Sequence, residues 1–289
     1  MDFISNPFNY VASKDRILGE VTSEFDYTKE FFVDAFCGSG VVSVNVGDKF
    51  KTVIMNDGCA QMVSLLAHMY STKLEELMEE IKSYIERFHL SKDNKEGFLK
   101  AREAYNRGER DDMLLYMLIT HAFSYNVVFN SRGGFSVPSG AGRSWFNPSL
   151  RRKFTKFCEA FQKLDNIGFT SFTLDELMQM CINGATEVSN YMFYFDPPYL
   201  TSDGSCSRSY GLRWTKEHDK KLMDFADYIS EHGGSFAMSN ALKNNGYVNE
   251  ELAAWASNYN VVHIACDYNN CHHQRKNRGD TEEVVIKNF

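Results

Sequence analysis

The chain has 289 residues, 43% hydrophobic, 14% aromatic and 24% charged. That is enough for a sizeable core and too apolar for a disordered or fibrous chain. The net charge of −7 argues, on average, against a nucleic-acid partner.

Residues 1–9 lack the basic start and apolar core of a secretory signal. Residues 30–35 (EFFVDA) form a short apolar run ending in a carboxylate, followed at once by Phe36-Cys37-Gly38-Ser39-Gly40. This is the pattern of a buried strand, a glycine turn and a helix. Residues 51–55 predict a second strand, ending at Asn56-Asp57. Residues 60–88 carry apolar residues at helical spacing and predict two helices that break near Ser71-Thr72. A further helix is expected over 112–126. Residues 127–137 alternate around Ser131-Arg132-Gly133-Gly134 and read as a hairpin, with loop over 138–148. Then come a helix over 150–164 and a strand over 167–172.

The last third alternates strand and helix: strands over 191–195, 235–239, 261–266 and 283–287, helices over 217–231 and 250–257, and a Ser/Gly-rich loop over 201–211. Such alternation predicts an α/β fold with a parallel sheet and helices on both faces. The helical stretch between the second and third strands is too long for one crossover. It predicts a mainly helical insert with a hairpin over 62–149, dividing a main domain of 1–61 and 150–289. No apolar run reaches bilayer-spanning length, so no membrane partner is expected. The seven cysteines are scattered without a CxxC pair, as suits a reduced cytoplasmic protein with no metal site.

The charges are segregated. No acid occurs from Met113 to Cys158, where Arg132, Arg143, Arg151, Arg152, Lys153 and Lys156 lie. Arg275, Lys276 and Arg278 form a second basic cluster beside His272 and His273. Phosphate contacts depend on local cations, so an acidic protein can present a DNA-binding face. A merely solvated basic surface explains the same charges.

A carboxylate strand end turning through glycines is a nucleotide-binding start, because the backbone approaches the ligand and the helix leaves free N–H groups. A plain tight turn explains a lone GxG equally well. Asp57 strengthens the first reading: it lies nineteen residues after Gly38, where an acid accepts bonds from ribose hydroxyls, a helix N-cap being its other reading. With no third glycine and no P-loop lysine, the ligand is an adenosine without phosphates. Asp196-Pro197-Pro198-Tyr199 follows an apolar strand directly. The prolines fix the chain path, leaving a carboxylate, a carbonyl and an aromatic wall at the sheet's C-terminal edge. Those groups suit the exocyclic amine of a stacked base.

These motifs together resemble the Dam-type (α-order) S-adenosylmethionine-dependent DNA N6-adenine methyltransferases over nearly the whole chain. Asn9-Tyr10-Val11-Ala12-Ser13-Lys14 resembles the family's Tyr-x-Gly-Ser-Lys motif, with Ala12 in place of glycine. Residues 34–40 are similar to its FxGxG motif, Asp57 to its ribose-binding acid, and Asp196 to Tyr199 to its DPPY motif. Residues 130–140 resemble the hairpin that enters DNA, and residues 275–286 the closing basic loop and strand. Ser171-Phe172 stands where the family has Asp-Phe. Val128 stands where GATC-reading members carry arginine, so their recognition sequence does not transfer.

The resemblance implies a Rossmann-like methyltransferase sheet with an inserted target-recognition domain, and no metal. It implies catalysis by Asp196, Pro197, Pro198 and Tyr199. S-adenosylmethionine would be held by Tyr10, Lys14, Asp34, Phe36, Gly38, Gly40, Asp57, Phe172 and Asp196. Double-stranded DNA would be contacted by Asn130, Ser131, Arg132, Arg143, Arg275, Lys276 and Arg278. A monomer and, as a further partner, a cognate restriction endonuclease are the associated expectations. The rivals are a methyltransferase acting on another nucleic acid or an amide, and a non-catalytic DNA-binding relative. A dehydrogenase has no use for the basic insert.

Overall fold

In a computed structural model, residues 3–9, 13–183, 187–200, 214–244, 246–264 and 281–289 are described. Tyr10, Arg275, Lys276, Arg278 and the loop 201–211 lie outside the described residues. In chain order the elements are α1 (Leu18–Ser23), β1 (Phe31–Asp34), α2 (Val41–Val46), β2 (Thr52–Asn56), α3 (Ala60–Ser71), α4 (Leu74–Phe88), α5 (Lys95–Arg107), α6 (Asp112–His121) and α7 (Pro148–Phe161). Then follow β3 (Ile167–Thr170), α8 (Leu174–Ile182), β4 (Tyr191–Phe195), α9 (Lys216–Glu231), β5 (Ser235–Asn244), β6 (Tyr247–Val248), α10 (Glu250–Ala256), β7 (Asn260–His263) and β8 (Glu282–Lys287).

The strands form one sheet in the order β3-β2-β1-β4-β5-β8-β7, with β6 appended to β5. Strands β1 to β5 pair in parallel. The expected parallel alternation stops there, because β8 runs antiparallel between β5 and β7. Consecutive strands that pair directly take that direction, since a parallel pair needs a long crossover.

Side chains alternate across the strands and give each face its own core. Phe32, Val53, Met192, Tyr194 and Val285 join the cluster under α1–α7, while Val33, Phe193, Phe195, Phe236 and Ile286 join the one under α8–α10. The helices α3–α6 share the first cluster with the sheet. Helix α6 is at its centre, buried from Met113 to His121. It ends five residues earlier than predicted, at His121 rather than Asn126. There Ala122 turns extended and pairs with Ser139, while Ser124 and Tyr125 take left-handed φ of 55°. The hairpin after it is short, closed by the Phe129–Phe135 bridge.

Strand β1 pairs with β2 on one side and β4 on the other. The order therefore reverses at β1, opening a crevice at its C-terminal end. Gly40 opens α2 there at φ 73°, and a Cβ on it would meet Met55 Cε at 2.6 Å and Leu66 Cδ2 at 3.3 Å. Left-handed strain and overpacking add, so Gly40→Ala is expected to cost about 2–4 kcal/mol, read by chemical denaturation. An unchanged midpoint would show that the turn relaxes freely.

Candidate active site

Strand pairing sets Asp34 opposite Tyr194, so the glycine turn after β1 and the Asp-Pro-Pro-Tyr segment after β4 leave the sheet side by side. The Ala35 N–H donates to the Tyr194 carbonyl at 3.0 Å and fastens the two exits together. Gly38 has φ 51°, and its N–H donates to Asp57 Oδ2 at 3.0 Å. Asp57 Oδ1 accepts the Cys59 N–H at 2.8 Å. The N-cap of α3 is Cys59, so Asp57 is not that cap. It joins the glycine turn to the turn after β2. Burial pushes its carboxyl up to about 6, against the two N–H bonds.

Asp34 accepts Ser43 Oγ–H at 2.7 Å on Oδ2. Its buried Oδ1 has no hydrogen-bond partner among the described residues. Burial first, then the charges of Asp196 and Asp57, push the carboxyl up to about 7, against the Ser43 bond. An orphaned acceptor between two further carboxylates suits a cationic ligand with donor groups.

Asn56, which the sequence reading did not single out, fastens Phe172 to this rim. Its Nδ2 donates to the Ala35 and Phe172 carbonyls at 2.9 and 3.1 Å, while Oδ1 accepts the Phe172 N–H at 2.9 Å. Phe36 meets Trp214 edge-on at 5.5 Å, and Trp214 Nε1 donates to buried Asp219 at 2.5 Å. No motif marks Trp214, because only the fold brings it to Phe36.

At the other exit, Lys14 Nζ forms an ion pair with Asp196 Oδ1 at 2.8 Å and donates to the Tyr199 hydroxyl at 2.7 Å. It also pairs with Glu283 Oε1 at 3.2 Å. Lys14, expected at the cofactor, thus has its ammonium on the Asp196 carboxylate. Against the effect of burial, Asp196 and Glu283 hold that ammonium's pKa above the usual range. Asp196 itself is raised by burial, with Lys14 opposing and Glu283 adding. Its Oδ2 makes no hydrogen bond to the described residues, and the side chain is 20% exposed. One oxygen is held and the other is free. Pro197 is buried, and Pro198 and Tyr199 are half-buried.

The hairpin lies between α6 and α7. Asn130 Oδ1 accepts the N–H groups of Arg132 and Gly134, both at 2.9 Å, so this expected DNA contact builds the turn. Asn106 on α5 brackets Phe135 with two bonds, and Arg102 Nη1 donates to the Val137 carbonyl at 3.0 Å. Ser131 and Arg132 are exposed at the tip, and Arg143 is exposed in the loop beyond. Among the described residues, no group of His, Cys, Asp and Glu is arranged to hold a metal ion.

The model of the D12 class N6 adenine-specific DNA methyltransferases matches residues 10–269. The chain is 34% identical to the type II methyltransferase M.FokI of Planomicrobium okeanokoites, over 99% of this chain and 43% of that protein. It is 32% identical to the modification methylase StsI of Streptococcus sanguinis, with the same two coverages. A DNA adenine methylase of Vibrio cholerae is 26% identical over 72% of this chain and 71% of its own. The chain therefore spans less than half the length of the first two relatives. The chain belongs to the D12 class N6 adenine-specific DNA methyltransferase family.

Proposed function

We propose that the chain transfers a methyl group from S-adenosylmethionine to the N6 amine of an adenine flipped out of double-stranded DNA. The observation that carries this reading is Asp196, with Oδ1 tied to Lys14 and Oδ2 open beside the sheet's crevice. S-adenosylmethionine supplies an electrophilic methyl on a sulfonium. Asp57 takes the ribose hydroxyls, Asp34 Oδ1 a donor of the amino-acid end, and Phe36 and Phe172 the adenine ring.

The lone pair of adenine N6 is delocalised into the ring, so the amine is a weak nucleophile. Asp196 Oδ2 and the Pro197 carbonyl accept its two hydrogens and draw the nitrogen toward tetrahedral geometry. Tyr199 supplies the wall on which the extruded base stacks. As the nitrogen gains its new bond it becomes acidic, and Asp196 Oδ2 takes the surplus proton.

Residues 62–149 serve as the target-recognition region, with Asn130 shaping the hairpin and Ser131, Arg132 and Arg143 reaching DNA. The same role is proposed for Arg275, Lys276 and Arg278. A monomer in the cytoplasm, paired with a cognate restriction endonuclease, completes the reading; StsI is named a modification methylase. No helix among the described residues is long and apolar enough to cross a membrane. Base-resolved sequencing of DNA from cells expressing the chain tests the function directly. Methylated cytosine, or no methylated base, would overturn it.

Asp57→Ala is expected to weaken S-adenosylmethionine binding by about 1–3 kcal/mol, the worth of charge-assisted bonds to the ribose. Calorimetry reads it, and an unchanged dissociation constant removes Asp57 from the site. In the wild type, affinity should fall as pH drops through about 7 and then about 6, where the Asp34 and Asp57 carboxyls protonate in turn. Unfolding driven by these groups does not explain such a fall. A carboxyl whose folded pKa is raised, as for Asp34 and Asp57, stabilises the fold as pH drops from about 7 toward 4.

A further inference from the structure

Glu283 opens the closing strand of the family resemblance with no site role expected for it, yet it is 4% exposed and bonded to Lys14 and Tyr199. It lies on β8 opposite Ala241 of β5, among the buried Val284, Val285 and Ile286. An apolar residue would fill such a position at less cost, since a buried carboxylate is expensive unless its partners hold it. Among the described residues, two of its partners are groups of the candidate site. Glu283 Oε1 accepts from Lys14 Nζ at 3.2 Å and from the Tyr199 hydroxyl at 3.1 Å.

The count of protons sets the direction of these bonds. Lys14 has three protons and three oxygens to serve: Asp196 Oδ1, the Tyr199 hydroxyl and Glu283 Oε1. Tyr199 receives one proton from Lys14 and has one to give. Glu283 at 3.1 Å is a better acceptor for it than Asp196 Oδ1 at 3.4 Å. The Tyr199 ring is thereby pinned through its hydroxyl, and Asp196 keeps Oδ2 clear.

We propose that Glu283 is a positioning residue for methyl transfer: it orients Lys14 and Tyr199, and its charge keeps Asp196 from being neutralised by Lys14. The proposal rests on the reading of Asp196 as acceptor of the adenine amine. Among the described residues two carboxylates face the Lys14 ammonium, and the Glu283 charge acts on Asp196 in the opposite sense to Lys14, where positive charge develops on N6. With Glu283 uncharged, the Lys14 ammonium would offset the Asp196 charge unopposed and weaken that carboxylate as an acceptor. Among the described residues, the ionisable groups whose charge or hydrogen bonding bears on Asp196 include Lys14, Tyr199 and Glu283, with Asp34 from β1 and Tyr194 from β4.

Glu283→Gln keeps the shape and an acceptor oxygen and removes the charge. Single-turnover methylation of DNA should slow roughly 10- to 100-fold, with S-adenosylmethionine affinity by calorimetry within twofold of wild type. The acid limb of its pH–rate profile should move to lower pH, because Lys14 then stabilises the Asp196 carboxylate unopposed. Carbon-13 NMR of the Asp196 carboxyl, assigned through Asp196→Asn, should show the same downward shift without any turnover. A merely structural glutamate would leave the transfer rate of the folded variant unchanged. Should Glu283→Gln not fold, Glu283→Asp keeps the charge on a shorter arm and must keep the wild-type Asp196 titration while transfer slows. Wild-type rate with an unmoved Asp196 titration in Glu283→Gln, or a shifted titration in Glu283→Asp, overturns the proposal. A wild type that methylates no adenine overturns the functional reading instead, and the NMR titration still decides the role of Glu283.

Discussion

Asp196→Ala is expected to slow methyl transfer by about 10³-fold while S-adenosylmethionine affinity stays within a few-fold of wild type, because an oriented acceptor aimed at developing charge acts mainly in the transition state. The protein should still fold, since Lys14 retains Glu283 and the Tyr199 hydroxyl as partners. The more telling variant is Asp196→Asn. Lys14 Nζ sits 2.8 Å from Oδ1 and demands an oxygen there. The amide must then present its NH2 group at the Oδ2 position, facing the N–H bonds of the adenine. Two donors confront each other, so Asn should be no better than Ala despite being nearly isosteric. Quench-flow rates on saturating DNA would check both. An Asp196→Asn enzyme within tenfold of wild type would show that the free oxygen is not the acceptor.

The parts of this site that are consecutive in the chain were legible in the sequence. Residues 191–195 were expected as a strand and are β4, and the break between α3 and α4 falls at the expected Ser71-Thr72. Apolar runs bounded by Gly and Pro carry that information locally. Helix α8 was missed although Thr173 and Glu176 form a capping box at its start, a readable signal. Helix α5 was missed because only Gly97, Phe98, Ala101 and Tyr105 are buried along its thirteen residues. Its strongest feature, the grip of Asn106 on Phe135, is a contact across 29 residues. Glu283 shows the limit most clearly. In the sequence it is only the first residue of the expected strand over 283–287. Only the pairing of β8 beside β5 turns it inward, toward a lysine 269 positions away.

Local charge, rather than the average of −7, should govern DNA affinity. Helices α5 and α9 pair cations with their own acids, as in Lys100–Glu96, Arg107–Glu103 and Lys220–Asp224. Arg132, Arg143, Arg151, Arg152 and Lys156, in the acid-free stretch, form no ion pair among the described residues. All five are exposed. Under the proposed function, a phosphate backbone takes up the charge of these cations. Each phosphate contact adds about −0.9 to the log–log slope of affinity against salt. Replacing all five by alanine should therefore flatten that slope by about 4 to 5 units, with affinity near 50 mM salt lost for every sequence alike. Arg143→Ala alone should remove about one unit. Arg132, at the hairpin tip, has a second possible signature: relaxed specificity at one base position with the slope unchanged. Fluorescence anisotropy across a salt series separates these outcomes. If the fivefold variant keeps both its slope and its affinity, the basic stretch is solvated surface, and the DNA-facing cations lie elsewhere on the chain.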